Sequence, residues 1–307
     1  MADQFFDEHA EDVCDMGPVE AEMEAFVARA KAAGRPVVVI GSGGTSVPLE
    51  RRTVRSLENF SAGTRGATSA EVFLAHGYSV LFLNRRHSVQ PYLRLVTKSL
   101  TDLLDVDEEG KRVYLSETAS EDDGHLARVM TVAKAVERDG RLLKVEFVTL
   151  ADYLFKLRAA CHALRAVGKM GAVYAATAVS DYFIPKADMA EHKIQSGPST
   201  FTLELRATPK MLGAVREWGP ELFVCSFKLE TDEDILVSKA KGAIAKYKPH
   251  VVVGNILHTR KDQVLIVTEA DVQTIRRTEA QIAEDVEIEK ELVGSIVTMH
   301  ARHIGDA

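Results

Sequence analysis

Short runs of β-branched and aliphatic residues alternate along this chain with longer stretches whose apolar positions recur at helical spacing. Ala21, Met23, Phe26, Val27 and Ala30 share one face of a helix predicted over 19–33, with Gly34 as its C-terminal cap. The run 36–40 follows without polar alternation, as a strand covered on both faces of a parallel sheet requires. The same periodicities predict helices over 64–76, 151–166 and 232–247, and strands over 79–83, 142–149, 172–178, 221–227 and 250–254. Residues 264–268 and 272–277 read as a hairpin, and 282–301 as a closing helix. Strands alternating with helices imply βαβ units, hence an α/β fold with a doubly wound, mostly parallel sheet and helices on both faces. Residues 1–18 read as an acidic flexible tail. Residues 19–307 read as a single α/β domain with a variable, charged excursion near 101–140, holding one helix at about 125–137.

Composition narrows the class. The chain has 307 residues, 46% hydrophobic and 27% charged, enough to bury a sizeable core. A net charge of -7 argues against nucleic acid as a partner, although a locally basic pocket for a small anion is compatible with it. Cys14, Cys161 and Cys225 are far apart with no CxxC pair, which argues against a disulfide framework and a structural zinc motif. The acidic N-terminus lacks the features of a signal peptide, and no apolar stretch approaches the roughly 20 residues that span a bilayer. A protein of the cytoplasm with no membrane partner is expected.

Ligands of doubly wound sheets bind outside the carboxyl ends of the strands, here the loops after Ile40, Leu83, Ala178, Phe227 and Gly254. The first carries Gly41-Ser42-Gly43-Gly44-Thr45, where glycines admit a phosphate close to the backbone. It is not a dinucleotide fingerprint: Ser46 stands where GxGxxG needs its last glycine, and no Walker pattern occurs. A turn without a ligand is the alternative. Ser61, Gly63, Thr64 and Gly66 lie at the start of the next helix, whose free N–H groups suit an anion, with Arg55, Asn59 and Arg65 as further donors. An ordinary helix cap with solvated arginines fits the same residues. Small residues at 175–178 let a substrate lie against the backbone, while Asp181 either accepts hydrogen bonds there or caps a turn. Lys193, in a flexible stretch, can reach phosphate oxygens as a mobile point charge, or is one more surface lysine.

Taken in order, GSGGT, VRSLENFSAGTRG, ATAVSDYFIP, EHKIQS, SFKLET and VVVGNIL resemble phosphopantothenoylcysteine synthetase in its free-standing eukaryotic form, from about Arg35 to Thr268. The resemblance implies a Rossmann-like fold with a small additional β-hairpin element and a homodimer. It implies a ligase that joins the carboxylate of (R)-4'-phosphopantothenate to the amine of L-cysteine through an acyl-nucleotide, with pyrophosphate released. ATP is favoured as the nucleotide triphosphate, with CTP as the alternative and Mg2+ accompanying it; no protein metal ligands stand out.

By the same resemblance, Asn59, Lys193 and Arg55 are the catalytic candidates. Asn59 handles the acyl intermediate, Lys193 the nucleotide phosphates, and Arg55 the substrate carboxylate or phosphate. Gly43, Gly44, Ser61, Gly63, Gly66, Phe227 and Asn255 match nucleotide-binding positions, and Thr177, Ala178 and Asp181 substrate-binding ones. Two rival readings remain at this point. Arg85 and Arg86 after the second strand fit the 2'-phosphate of an NADP-dependent oxidoreductase, and a catalytically silent nucleotide-binding protein fits the same fold.

Overall fold

Successive residues of a strand point to opposite faces, and in β1 (Val37–Ser42) both sets are apolar. Val37 and Val39 face one layer of helices while Val38 and Ile40 face the other, and all four are fully buried. The computed structural model describes residues 2–96, 100–116, 124–197 and 200–305, and they form an α/β sandwich around this strand.

The chain starts with α1 (Ala2–His9) and α2 (Gly17–Ala32), then β1, a small hairpin of β2 (Ser46–Pro48) and β3 (Ser56–Glu58), and α3 (Thr64–Ala75). Next come β4 (Ser79–Arg85), α4 (Leu100–Leu103), the hairpin β5 (Leu104–Val106) and β6 (Val113–Leu115), and α5 (His125–Arg138). β7 (Leu142–Phe147), α6 (Leu150–Leu164), β8 (Gly171–Ala175), β9 (Tyr182–Phe183), β10 (Arg206–Ala207) and α7 (Met211–Trp218) complete the middle. The last part holds β11 (Phe223–Glu230), α8 (Glu233–Tyr247), β12 (Val251–Ile256), β13 (Gln263–Val267), β14 (Val272–Arg276), α9 (Glu279–Ala283) and α10 (Glu289–Gly305).

The main sheet runs β14-β13-β12-β11-β8-β1-β4-β7. From β12 to β7 it is parallel; β13 and β14 add the expected hairpin antiparallel at one edge. Growth proceeds outward from β1 through β4 to β7, then restarts beside β1 with β8. That reversal opens a crevice at the carboxyl ends of β1 and β8. Residues of α2, α6 and α7 cover one face, and residues of α3, α5 and α10 the other. Among the described residues, no helix is long and apolar enough to cross a membrane.

Three expectations change. The strand expected to reach residue 178 ends at Ala175, because the chain lifts off toward the glycine loop. The closing helix is broken into α9 and α10, with Asp285 left-handed at φ 50° between them. In place of an acidic tail, residues 2–9 form α1, which buries Phe5 and Phe6 in the core. Phe6 packs edge-on against Phe155 and Trp218, and the Arg158 guanidinium lies 3.8 Å over its ring. Phe6→Ala should therefore cost about 3 kcal/mol, read as a shift in the denaturant midpoint; a tail would show no shift.

A histidine group sits at the opposite, amino-terminal edge of the sheet. The Val224 N–H donates to His250 Nδ1 at 3.0 Å; Tyr78 and the Lys169 carbonyl occupy both ring nitrogens of His300, at 2.8 and 2.9 Å. Burial first, then nearby Arg216 and the neighbouring histidines, push His250 down to about 4; burial does the same to His300. Both are depressed below the ordinary 6.5, so the unfolded chain takes up protons that the folded one refuses. Stability is then full above pH 6.5 and falls as pH drops from there toward 4. The loss should be on the order of 3 kcal/mol, visible in thermal unfolding across that window and reduced in His300→Gln.

Candidate active site

The crevice is closed by main-chain bonds between two loops far apart in sequence. The Ala178 N–H donates to the Gly43 carbonyl at 2.8 Å, and the Thr45 N–H to the Ala178 carbonyl at 3.1 Å. Thr45 Oγ1 accepts the Ser180 N–H at 2.9 Å. Thr177 lies over Gly41 next to the buried Tyr153, whose hydroxyl burial pushes up to about 12, so it stays neutral at physiological pH.

Asn59 is folded over this junction. Its N–H donates to the Thr45 carbonyl at 3.3 Å and its Nδ2 to the Val179 carbonyl at 3.1 Å, which orients the amide at the mouth of the crevice. Such an approach needs glycine at 44, since a Cβ there would stand 1.9 Å from the Asn59 carbonyl oxygen. Gly44→Ala must displace the Asn59 loop at a cost of about 1–3 kcal/mol, measurable as a lower melting temperature together with lost activity.

The next segment delivers a helix end. Gly63 precedes α3 with no side-chain cap, and its carbonyl accepts Ser42 Oγ at 2.9 Å, while Ser61 stands half-buried just before it. Gly66 allows α3 to press on β1: a Cβ there would lie 2.5 Å from the Ser42 Cβ. The first N–H groups of α3 thus have no capping side chain at Gly63, the arrangement in which a helix start can accept an anion. Arg65 is not one of its donors. Its guanidinium bonds Glu289 Oε1 at 2.8 Å, the Arg260 carbonyl at 2.5 Å and Asn255 Oδ1 at 3.3 Å. Burial raises the Glu289 carboxyl despite that cation. Asn255 thus sits on β12 within a tie between sheet, α3 and α10. Phe227, on β11, packs edge-on 4.8 Å from the Tyr174 ring.

Arg55 and the Lys193 segment meet at a residue that no motif of the sequence singles out. Glu50 is completely buried. Its Oε1 accepts Arg55 Nη1 at 2.8 Å and the Ile194 N–H at 3.4 Å; its Oε2 accepts the N–H groups of Val54 and Arg55 at 3.2 and 3.0 Å. Burial pushes this carboxyl up, but those donors reverse the effect and hold it below the ordinary range. Lys193 itself is exposed on coil. Asp181 is also exposed and pairs with Lys210, another partner that the sequence did not announce.

Arg85 and Arg86, the residues of the oxidoreductase reading, pair with Glu58 and Glu146 at 3.2 and 3.4 Å. Among the described residues, no three His, Cys, Asp or Glu side chains converge as metal ligands.

Residues 127–302 match the DNA/pantothenate metabolism flavoprotein C-terminal domain family. The chain is 43% identical over 297 residues to the human phosphopantothenate–cysteine ligase, covering 92% of each protein. It is 41% identical over 301 residues to phosphopantothenate–cysteine ligase 2 of Oryza sativa subsp. japonica, covering 94% of this chain and 90% of that protein. A solved structure of a Cab2 variant in complex with phosphopantothenate-cysteine superposes with a TM-score of 0.88 at 32% identity, covering 99% of this chain and 98% of that one. Ligases, not oxidoreductases, are what these relatives are named. The chain belongs to the phosphopantothenate–cysteine ligase family of coenzyme A biosynthesis.

Proposed function

We propose that this chain joins phosphopantothenate to cysteine in two steps at the β1–β8 crevice, using ATP in preference to CTP. In the first, a substrate carboxylate oxygen attacks the nucleotide α-phosphorus; the new O–P bond forms as the bond to the bridging oxygen breaks and pyrophosphate leaves. In the second, the cysteine amine attacks the acyl carbon, the C–O bond to the nucleotide breaks, and the nitrogen loses a proton as the amide forms. The observation that supports this most is the convergence of Gly43 and Gly44, Asn59, and Thr177 and Ala178 on one junction. Such a junction can hold reactants in attack geometry, which removes much of the entropic barrier of joining them.

In this reading the α3 N-terminus with Ser61, Gly63 and Gly66 receives phosphate, and Phe227 and Asn255 flank the nucleoside end. Thr177, Ala178 and Asp181 line the pantothenate side, with Arg55 toward its carboxylate or phosphate. Mg2+ arrives on the triphosphate, as hard cations with few protein ligands do. The enzyme acts in the cytoplasm as a homodimer; exposed Val54, Phe60 and Tyr182, at 60%, 95% and 56%, are apolar surface of the kind a second copy covers.

The test is pyrophosphate release from purified protein with phosphopantothenate and cysteine, run in parallel with ATP and CTP, with the product weighed by mass spectrometry. A phosphopantothenoylcysteine mass with ATP favoured is expected. Equal or greater turnover with CTP would overturn the nucleotide assignment alone, and no amide with either would overturn the ligase reading.

A further inference from the structure

Outside the residues that the motifs single out, one ionised group is placed where a surface residue has no reason to be. Glu50 is a fully buried carboxylate just beyond β2, and its four hydrogen-bond donors come from two segments. Val54 and Arg55 belong to its own turn; Ile194 is the residue next to Lys193. Burying a charge is unfavourable unless its acceptor sites are filled, and here donors from both segments fill them, so the carboxylate is one tie between the two.

The surrounding main chain runs in the same sense. The Arg51 N–H donates to the Ala190 carbonyl at 2.9 Å and the Arg52 N–H to the Glu191 carbonyl at 3.2 Å. The Arg51 guanidinium holds the Lys186 carbonyl at 2.9 and 3.1 Å, and Arg55 Nη1 holds the Ile194 carbonyl at 3.1 Å. Residues 51–55 and 186–194 therefore lie side by side, while the Lys193 side chain is exposed beyond them. Of all these contacts only Glu50 grips both the Arg55 side chain and the amide that follows Lys193.

We propose that Glu50 is a positioning residue for the first half-reaction: its carboxylate fixes the Lys193 arm and the Arg55 guanidinium in one register, so that the ammonium returns to the same place in every turnover. The proposal rests on the reading of Lys193 given above. It separates Glu50 from a purely structural ion pair, because the charge holds a segment that otherwise lacks regular secondary structure from 191 to 197.

The experiment is Glu50→Gln in the full-length protein, which preserves shape but replaces an acceptor oxygen by an NH2 group. Amide hydrogen exchange over 190–197 should accelerate at least tenfold. Pyrophosphate release should fall by about 10²-fold in kcat, as ångström-scale misplacement of a reacting group does, with the nucleotide KM changed little. In a Lys193→Ala background the same substitution should lose the part of its effect that passes through the lysine and keep only what passes through Arg55, so the two effects are less than additive. If Glu50→Gln does not fold, Glu50→Asp keeps the charge but is one methylene too short to reach Ile194, and the same exchange readout applies. Unchanged exchange over 190–197 in the folded variant overturns the proposal, and so does additivity with Lys193→Ala. Should Lys193→Ala leave pyrophosphate release intact while Glu50→Gln loosens the arm, the role of Lys193 fails and the grip of Glu50 on the arm stands.

Discussion

Lys193→Ala is expected to slow pyrophosphate release by about 10²- to 10³-fold, the usual effect of removing one donor from a centre where negative charge develops. In the proposed first half-reaction that charge would appear on the oxygen bridging to the departing pyrophosphate. The ammonium of Lys193 is a compact point charge on a long stem, exposed and free to swing, while its main chain is anchored through Ile194. A group that acts mainly on the transition state changes kcat more than KM. Rapid-quench measurement of the pyrophosphate burst reads this directly, and Lys193→Arg, which keeps the charge, should recover part of the rate. A burst at the wild-type rate in Lys193→Ala would remove the lysine from the mechanism.

Asn59→Ala should act on the other half. Its amide is oriented by the bond from Nδ2 to the Val179 carbonyl, which leaves a second N–H for an oxygen of the acyl intermediate. Loss of that donor should reduce amide formation by about 10²-fold while adenylation continues in part. In a single turnover, pyrophosphate should then appear in an amount close to that of the enzyme, with the acyl-nucleotide detectable by mass spectrometry and phosphopantothenoylcysteine delayed. Because the main chain of residue 59 is held independently by the Thr45 carbonyl, the substitution leaves the loop in place. If pyrophosphate and amide decline together, Asn59 belongs to binding or to the first step and not to the handling of the intermediate.

Some of the site was open to reading before any coordinates. Gly43, Gly44, Asn59, Thr177 and Ala178 were marked by motifs at strand ends, and the structure brings them to one junction. Other residues were marked by type alone, and type misled. Arg65 looked like a free phosphate donor but spends its guanidinium on Glu289, Asn255 and the Arg260 carbonyl. Glu50, followed directly by Arg51 and Arg52, belongs to no motif that would mark it, although it has no exposed surface. In α1, Phe5 and Phe6 amid acidic neighbours gave no continuous apolar stripe, so a tail was the natural reading. Their burial depends on Phe155, Phe183 and Trp218, which arrive from α6, β9 and α7.

By itself the sequence determined the layered α/β architecture, because an uninterrupted apolar strand has to be covered on both faces, and that demand is written in local order. It also determined the family, through motifs whose residues are contiguous. Only the tertiary structure decided which polar groups meet. The Glu50 carboxylate and the Ile194 amide are 144 residues apart, and Arg65 and Glu289 are 224 apart. Periodicity records which side of an element turns inward, whereas a buried charge is stabilised by whichever distant donors the reversal between β1 and β8 brings within reach.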